Sequence, residues 1–517
     1  MLFNSLGFIF LLLPVTLAGY YLLVRLGWQR RIFAYLVVAS LVFYSVWNPA
    51  YTLMLVASMG GNYLFGLGIE RFRGTRRQSS ILAFGIVLNL LVLGWFKYAN
   101  FLVDNANLAL SANWTLERIL LPLAISFYTF QQIAYLVDIS RGEIRSGGIT
   151  RYATFVIFFP QLIAGPIVHY KEMMPQFFGR QLGRFASGNL AIGLTIFAIG
   201  LFKKTVIADS AALYATPIFE AAQAGENIGL LAGWTAAITY TIQLYFDFSG
   251  YSDMAIGLSR MFGIRLPPNF HSPLRATSII EYWRRWHITL QQFIVSYMYQ
   301  PIVLPLARLA AQWKLGNWSS FVMTVMLPTV VVFVVIGLWH GAAWTYVLFG
   351  TMHGIYLAAN EFWRRRFRKR RRKAGEPGAG MVTFYRAITL LAVVFANVIF
   401  RAPDVATAMQ VWRGMVRLDL LAELAEAVPV SAAEILTKPL IFCAICIFVI
   451  ACLPNTQQFL ARYNPVYGWR KWRDVAPPVI VMSWRPTWGW AAVMTVVTFL
   501  AIAFVTRGQS EFIYFNF

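Results

Sequence analysis

Apolar stretches long enough to cross a bilayer recur from one end of this chain to the other. They fall near 5–24, 32–48, 50–70, 80–103, 118–138, 187–207, 229–247, 319–338, 343–361, 383–401, 436–453 and 488–507. A helix needs about 20 apolar residues to span the hydrocarbon core, and backbone groups inside that core must satisfy one another. Charged residues make up 13% of the chain, against about 25% in soluble domains. The pattern predicts an all-α polytopic integral membrane protein. The first stretch has no basic flank before it and no small-residue cleavage site after it, so it reads as a retained span.

Lysine and arginine outnumber aspartate and glutamate by 44 to 21, a net charge of +23. In a soluble protein such a charge would suggest nucleic acid. Here the basic residues sit in short loops between apolar stretches, without a basic-aromatic module, so a nucleic-acid partner is not expected. Loops 25–31, 71–77, 141–151 and 455–487 are basic, and 364–373 carries nine basic residues in ten positions. Such loops face the cytoplasm. They also attract anionic lipid heads and phosphorylated cofactors. The loop 403–437, with Asp404, Asp419, Glu423, Glu426 and Glu434, reads as external. Alternating the spans then places both termini outside.

The run 364–380 cannot pack in a core, and its Gly/Pro tail breaks helix. It separates a body, 1–363, from a C-terminal set of spans, 381–517. Segments 150–186 and 250–318 are mixed in polarity and suit half-spans or interfacial helices. Cys443, Cys446 and Cys452 have no His or acidic partners nearby and read as structural.

The histidines carry the chemistry. His340 ends an apolar run, and Gly341, Ala342 and Ala343 beside it permit close approach. An imidazole carried into a span is costly, and desolvation keeps it neutral and basic. It is either a general base or a side chain holding two spans together through a carbonyl. His287 lies among Trp283, Arg284, Arg285 and Trp286, an interfacial pattern that by itself reads as structural. His340 and His353 are thirteen residues apart, about 20 Å on one helix, too far to share a metal ion. Asp247 and Asp253 close another apolar run. They are expected to cap a helix starting near Met254, to pair with Arg284 or Arg285, or to touch substrate. Around Gln161, Gly165 and Pro166, a segment with two prolines predicts a re-entrant stretch, with His169 at its exit as a structural residue.

The strings FFPQLIAGPIVHYKEMMPQF, YFDFSGYSDMAIGLSRMFGI, SIIEYWRRWHITLQQF, GLWHGAAWTYVLFGTMHG and the ending FIYFNF resemble the membrane-bound O-acyltransferase superfamily. The resemblance runs the length of the chain. It is nearest to the bacterial branch that O-acetylates alginate, and more distant from the D-alanyl transfer branch of teichoic acid synthesis. It implies a ring of transmembrane and re-entrant helices around a central tunnel, with His340 as the catalytic histidine and His287 as the second. His353, Trp339, Asp247, Asp253, Arg284, Arg285, Gln161 and Pro166 become candidate tunnel or supporting residues. It further implies a bacterial inner-membrane enzyme with no bound cofactor and no metal. The enzyme would pass acetyl from acetyl-CoA or another cytoplasmic thioester towards an exopolysaccharide, directly or through periplasmic acetyltransferase proteins. The alternatives are a transporter or flippase, which would also need broken helices, and a scaffold of a polysaccharide export complex docked through 364–373.

Overall fold

The computed structural model describes residues 2–178, 186–367, 375, 377–417, 430–506 and 513. Most of the basic run 364–373, the acidic residues Asp419, Glu423 and Glu426, and the ending FIYFNF apart from Ile513 lie outside them.

Helices build the chain, and among the described residues there is no strand. In chain order they are α1 (Phe8–Arg25), α2 (Gln29–Ser45), α3 (Pro49–Arg71), α4 (Arg76–Leu110), α5 (Ile125–Arg141), α6 (Ile149–Ile157), α7 (Tyr170–Phe178), α8 (Ser187–Gln223) and α9 (Leu230–Met261). There follow α10 (Ile279–Arg285), α11 (Ile288–Gln312), α12 (Asn317–His340), α13 (Trp344–Arg366), α14 (Ala379–Arg401), α15 (Val405–Val416), α16 (Val430–Cys452) and α17 (Trp488–Val505). Among the described residues eight are long and apolar enough to span: α1, α3, α4, α8, α11, α12, α14 and α17. The chain is therefore a multi-pass membrane protein.

Several expected spans differ. The stretches at 32–48 and 436–453 form shorter apolar helices, Arg31–Ser45 and Thr437–Cys452. The stretch at 118–138 becomes helical only at Ile125, and α5 buries Gln131, Gln132 and Asp138. Polar side chains on its packed faces make it an internal helix. The run at 229–247 does not stop at its first carboxylate. It continues to Met261 as one helix, so Ser252 and Asp253 are mid-helix residues and no helix begins near Met254. Conversely α11, read as mixed sequence, reaches spanning length, with its apolar residues spread between Gln291, Gln292 and Gln300.

Small residues set the closest packing. On α8 and α9, Gly193 faces Gly257 and Gly200 faces Gly250. A Cβ on Gly200 would stand 2.6 Å from the Gly250 carbonyl oxygen, and one on Gly257 would stand 2.6 Å from that of Gly193. Backbones can approach this closely only without side chains. A seven-residue spacing on both helices keeps the glycines on one seam. The result is that α9 is buried almost continuously from Ala236 to Met261. The α12–α13 hairpin uses the same device, since side chains at Gly337 or Gly350 would run into backbone of the partner helix.

Between α6 and α7 the chain turns inside the protein. Phe158 breaks the helix (φ −51°, ψ 107°), one helical turn follows at Phe159–Leu162, and residues 158–169 are buried throughout. This is the broken, protein-buried segment that the prolines predict.

Candidate active site

The last residue of α12 is His340. Gly341 then adopts extended backbone (φ −174°, ψ 154°), Ala343 is extended as well, and α13 starts at Trp344. The terminal carbonyls of α12 need donors. Two come from α4: the Tyr98 hydroxyl donates to the Leu338 carbonyl at 2.9 Å, and Lys97 Nζ donates to that of Trp339. His340 itself is buried, with ring centroids of Trp339 at 4.9 Å, Phe400 at 5.2 Å and Phe349 at 6.1 Å.

His287 joins α10 to α11 in the left-handed region (φ 44°, ψ 53°) and is buried. That conformation costs a non-glycine residue roughly 1–2 kcal/mol, so surrounding contacts must hold it. Asn269 supplies them. Its Oδ1 lies 3.0 Å from His287 Nδ1 and accepts from the Thr289 hydroxyl at 2.9 Å and the Thr289 N–H at 3.4 Å. Its Nδ2 donates to Ser252 Oγ at 3.1 Å. A backbone N–H can only donate, so the Asn269 atom facing Thr289 is the oxygen. His287 Nδ1 must then carry the proton it shares with that oxygen, which puts the ring's lone pair on Nε2.

One tryptophan neighbours both histidines. The Trp339 ring is 6.3 Å from that of His287, centroid to centroid, and Phe130 stacks on it at 5.5 Å. A cavity of about 280 Å³ opens beside this group. Its walls include His287, Trp283, Arg284, Gln291, Phe333 and Ile336. It is mainly apolar with a few polar groups, the usual make-up of a small-molecule site. His353 stands one layer out: its Nδ1 accepts from Trp283 Nε1 at 3.2 Å, so it fixes a wall of the cavity.

The other candidates are placed differently. Asp247 and Asp253 pair with neither Arg284 nor Arg285. Lys204 Nζ lies 2.7 Å from Asp247 and Lys203 Nζ lies 2.6 Å from Asp253, and both lysines belong to α8. Asp253 also accepts from Thr456 Oγ1 at 2.6 Å and Gln457 Nε2 at 2.7 Å, and the Ile513 N–H donates to Asp247 at 3.2 Å. A buried carboxylate so fully satisfied tethers helices. Arg284 is exposed and lines the cavity, whereas Arg285 pairs with Glu281. Gln161 donates to the Phe155 carbonyl at 2.6 Å, and Pro166 shapes the turn before Ile167, whose N–H donates to Thr289 Oγ1 at 2.9 Å. The re-entrant segment therefore buttresses the Asn269–His287 network from behind. His169 is held by Tyr297 at 3.1 Å, and Tyr297 donates to Asp138 at 2.7 Å.

Sequence reasoning passes over Lys97, Asn269, Thr289 and Phe400. A lone lysine inside the apolar run 80–103 is a usable signal. Asn269, in a loop of ordinary polarity, carries none.

A family model for the membrane-bound O-acyltransferase family matches residues 77–409. The chain is 35% identical to a peptidoglycan O-acetyltransferase of Helicobacter pylori, across 100% of this chain and 98% of that protein. It is 33% identical to a probable alginate O-acetylase, AlgI, of Pseudomonas putida, across 100% of both. A teichoic acid D-alanyltransferase of Streptococcus thermophilus is 28% identical over 49% of this chain and 60% of its own length. With its buried histidines beside an apolar cavity in a helical membrane body, this chain belongs to the membrane-bound O-acyltransferase family and is an acyltransferase.

Proposed function

We propose that the protein moves an acetyl group from a cytoplasmic thioester, acetyl-CoA or a related donor, to a hydroxyl on a cell-envelope polysaccharide of the alginate or peptidoglycan kind. The transfer is direct or runs through a periplasmic acetyltransferase protein. The observation that carries this reading is that buried His287 lines a cavity of about 280 Å³ and stands 6.3 Å, ring to ring, from Trp339, the residue beside buried His340.

His340 acts as general base. It takes the proton from the acceptor hydroxyl as the oxygen attacks the thioester carbonyl. The C–S bond then breaks, and the proton passes to the departing thiolate, so a hydroxyl and a thioester become an ester and a thiol. Positioned proton transfer of this kind contributes about 10²–10⁴-fold, and holding both reactants together supplies more. With its proton on Nδ1 and shared with Asn269, His287 offers a lone pair at Nε2. That favours orienting a proton-bearing group, the acceptor hydroxyl or the His340 ring, over donating to an oxyanion.

The test is transfer of labelled acetyl by purified, reconstituted protein. His340→Gln keeps hydrogen bonding but cannot shuttle a proton, so transfer should fall by at least about 10²-fold. Near-normal transfer by a monodisperse His340→Gln protein would make His340 a packing residue.

A further inference from the structure

Far from the histidines in sequence, the segment between α16 and α17 builds a second concavity. Arg462, Arg470, Arg473 and Arg485 line a cavity of about 600 Å³ together with Asn464 and Ser483. All four arginines are exposed, and none has a carboxylate within ion-pair distance among the described residues. Four guanidinium groups around one hollow repel one another unless an anion joins them, and guanidinium forks match phosphate oxygens.

The frame beneath them is rigid. Trp469 and Trp484 are buried, and Asn464 and Gly468 take left-handed backbone (φ 45° and 69°) to turn the chain around the hollow. The Trp484 N–H donates to the Phe459 carbonyl at 2.8 Å, and the Tyr467 N–H to that of Leu266 at 2.9 Å. His271 Nε2 lies 2.8 Å from the Val475 carbonyl oxygen, and Gln458 Nε2 donates to that of Ala476 at 2.8 Å. These bonds fix the backbone that carries the arginines around the hollow.

The same segment carries exposed apolar residues. Val479 is 73% exposed, Val481 83% and Trp488 92%. The Ile480 N–H donates to the carbonyl of Cys452, the last residue of α16, at 2.9 Å, and Trp488 is the first residue of α17. The apolar tip and the exposed tryptophan thus stand where two apolar helices emerge, and tryptophan favours that depth. Arginines beside an apolar tip at an interface meet lipid phosphates.

We propose that this arginine-lined cavity is a binding site for the phosphate headgroup of an anionic membrane phospholipid. Phosphate could also come from a soluble donor such as coenzyme A, and the experiment separates the two. The full-length protein is purified from vesicles containing phosphatidylglycerol and phosphatidylcholine, and retained lipid is read by native mass spectrometry. Wild type should retain phosphatidylglycerol in preference. The triple variant Arg462→Gln, Arg473→Gln, Arg485→Gln should lose that retention by at least about tenfold. The matching triple Arg→Lys variant, which keeps the charge, should recover much of it. Equal retention by a monodisperse triple Gln variant would overturn the proposal. Displacement of the lipid by stoichiometric coenzyme A would also overturn it, since the phosphate site would then belong to a soluble ligand.

Discussion

Asn269 decides which nitrogen of His287 can work. Three donors, the His287 ring, the Thr289 hydroxyl and the Thr289 N–H, converge on one amide oxygen. Asn269→Ala removes that acceptor and frees the ring to adopt either tautomer, while the Ile288 N–H still donates to the backbone carbonyl at position 269 at 2.9 Å and anchors the turn. The expected result is a fall in kcat of between about tenfold and 10²-fold, below the loss expected for the base itself, with KM for the acetyl donor little changed. Asn269→Asp keeps an acceptor facing Nδ1 and should recover a good part of the rate. A residue that merely packs would give a different pattern, in which both variants lose protein yield and neither shifts the balance of kcat and KM. Legibility at this scale was uneven. His340 and His287 stand out because a titratable ring in an apolar run is expensive. Asn269 does not, because its importance lies in which three groups fold around it.

The two ion pairs between α8 and α9 show how tertiary packing supplies partners for carboxylates inside an apolar run. In the sequence Asp247 and Asp253 look like an interruption of a span, which suggests a helix cap, an arginine partner or a substrate contact. The glycine seam instead brings α8 so close that Lys203 and Lys204 reach both carboxylates, and α9 continues through them. Hydropathy cannot anticipate this, because the partners are supplied by tertiary packing. Removing one member of a buried pair leaves the other charge uncompensated, at a cost of about 3–5 kcal/mol. Asp253→Ala should therefore lower the melting temperature and the yield of detergent-solubilised protein. The double variant Lys203→Met, Asp253→Asn should restore most of the loss, since it removes both charges, keeps volume and leaves an amide to bond Thr456 and Gln457. If Asp253→Ala melts normally while acetyl transfer disappears, Asp253 belongs to the reaction and the tethering role is wrong.

At the scale of the whole molecule, the run 364–380 reads as a linker between a body, 1–363, and a C-terminal set of spans, 381–517. The residues beyond it nevertheless enter the centre: Phe400 of α14 stands 5.2 Å from His340, and Thr456 and Gln457 bind Asp253. Fold class was readable because bilayer thickness imposes one length on every span. The number of spans was less so, because apolar length does not separate a lipid-facing helix from a shorter or internal one such as α2 or α5. Sidedness rests on charge alone. The Lys/Arg rule puts 364–373 and the loop carrying Arg470 on the cytoplasmic face and 419–426 on the other. A labelling experiment checks this in intact cells. Cys452 is first replaced by serine, because it is partly exposed, whereas Cys443 and Cys446 are buried. Single cysteines then go in at Arg470, within 364–373 and within 419–426. A membrane-impermeant maleimide should label the 419–426 site and spare the other two until the membrane is opened. If 364–373 and Arg470 label differently from each other, α14 and α16 do not both cross, and the alternation fails between them. If both label from outside, the whole orientation inverts, and the acetyl donor would have to approach from the opposite face.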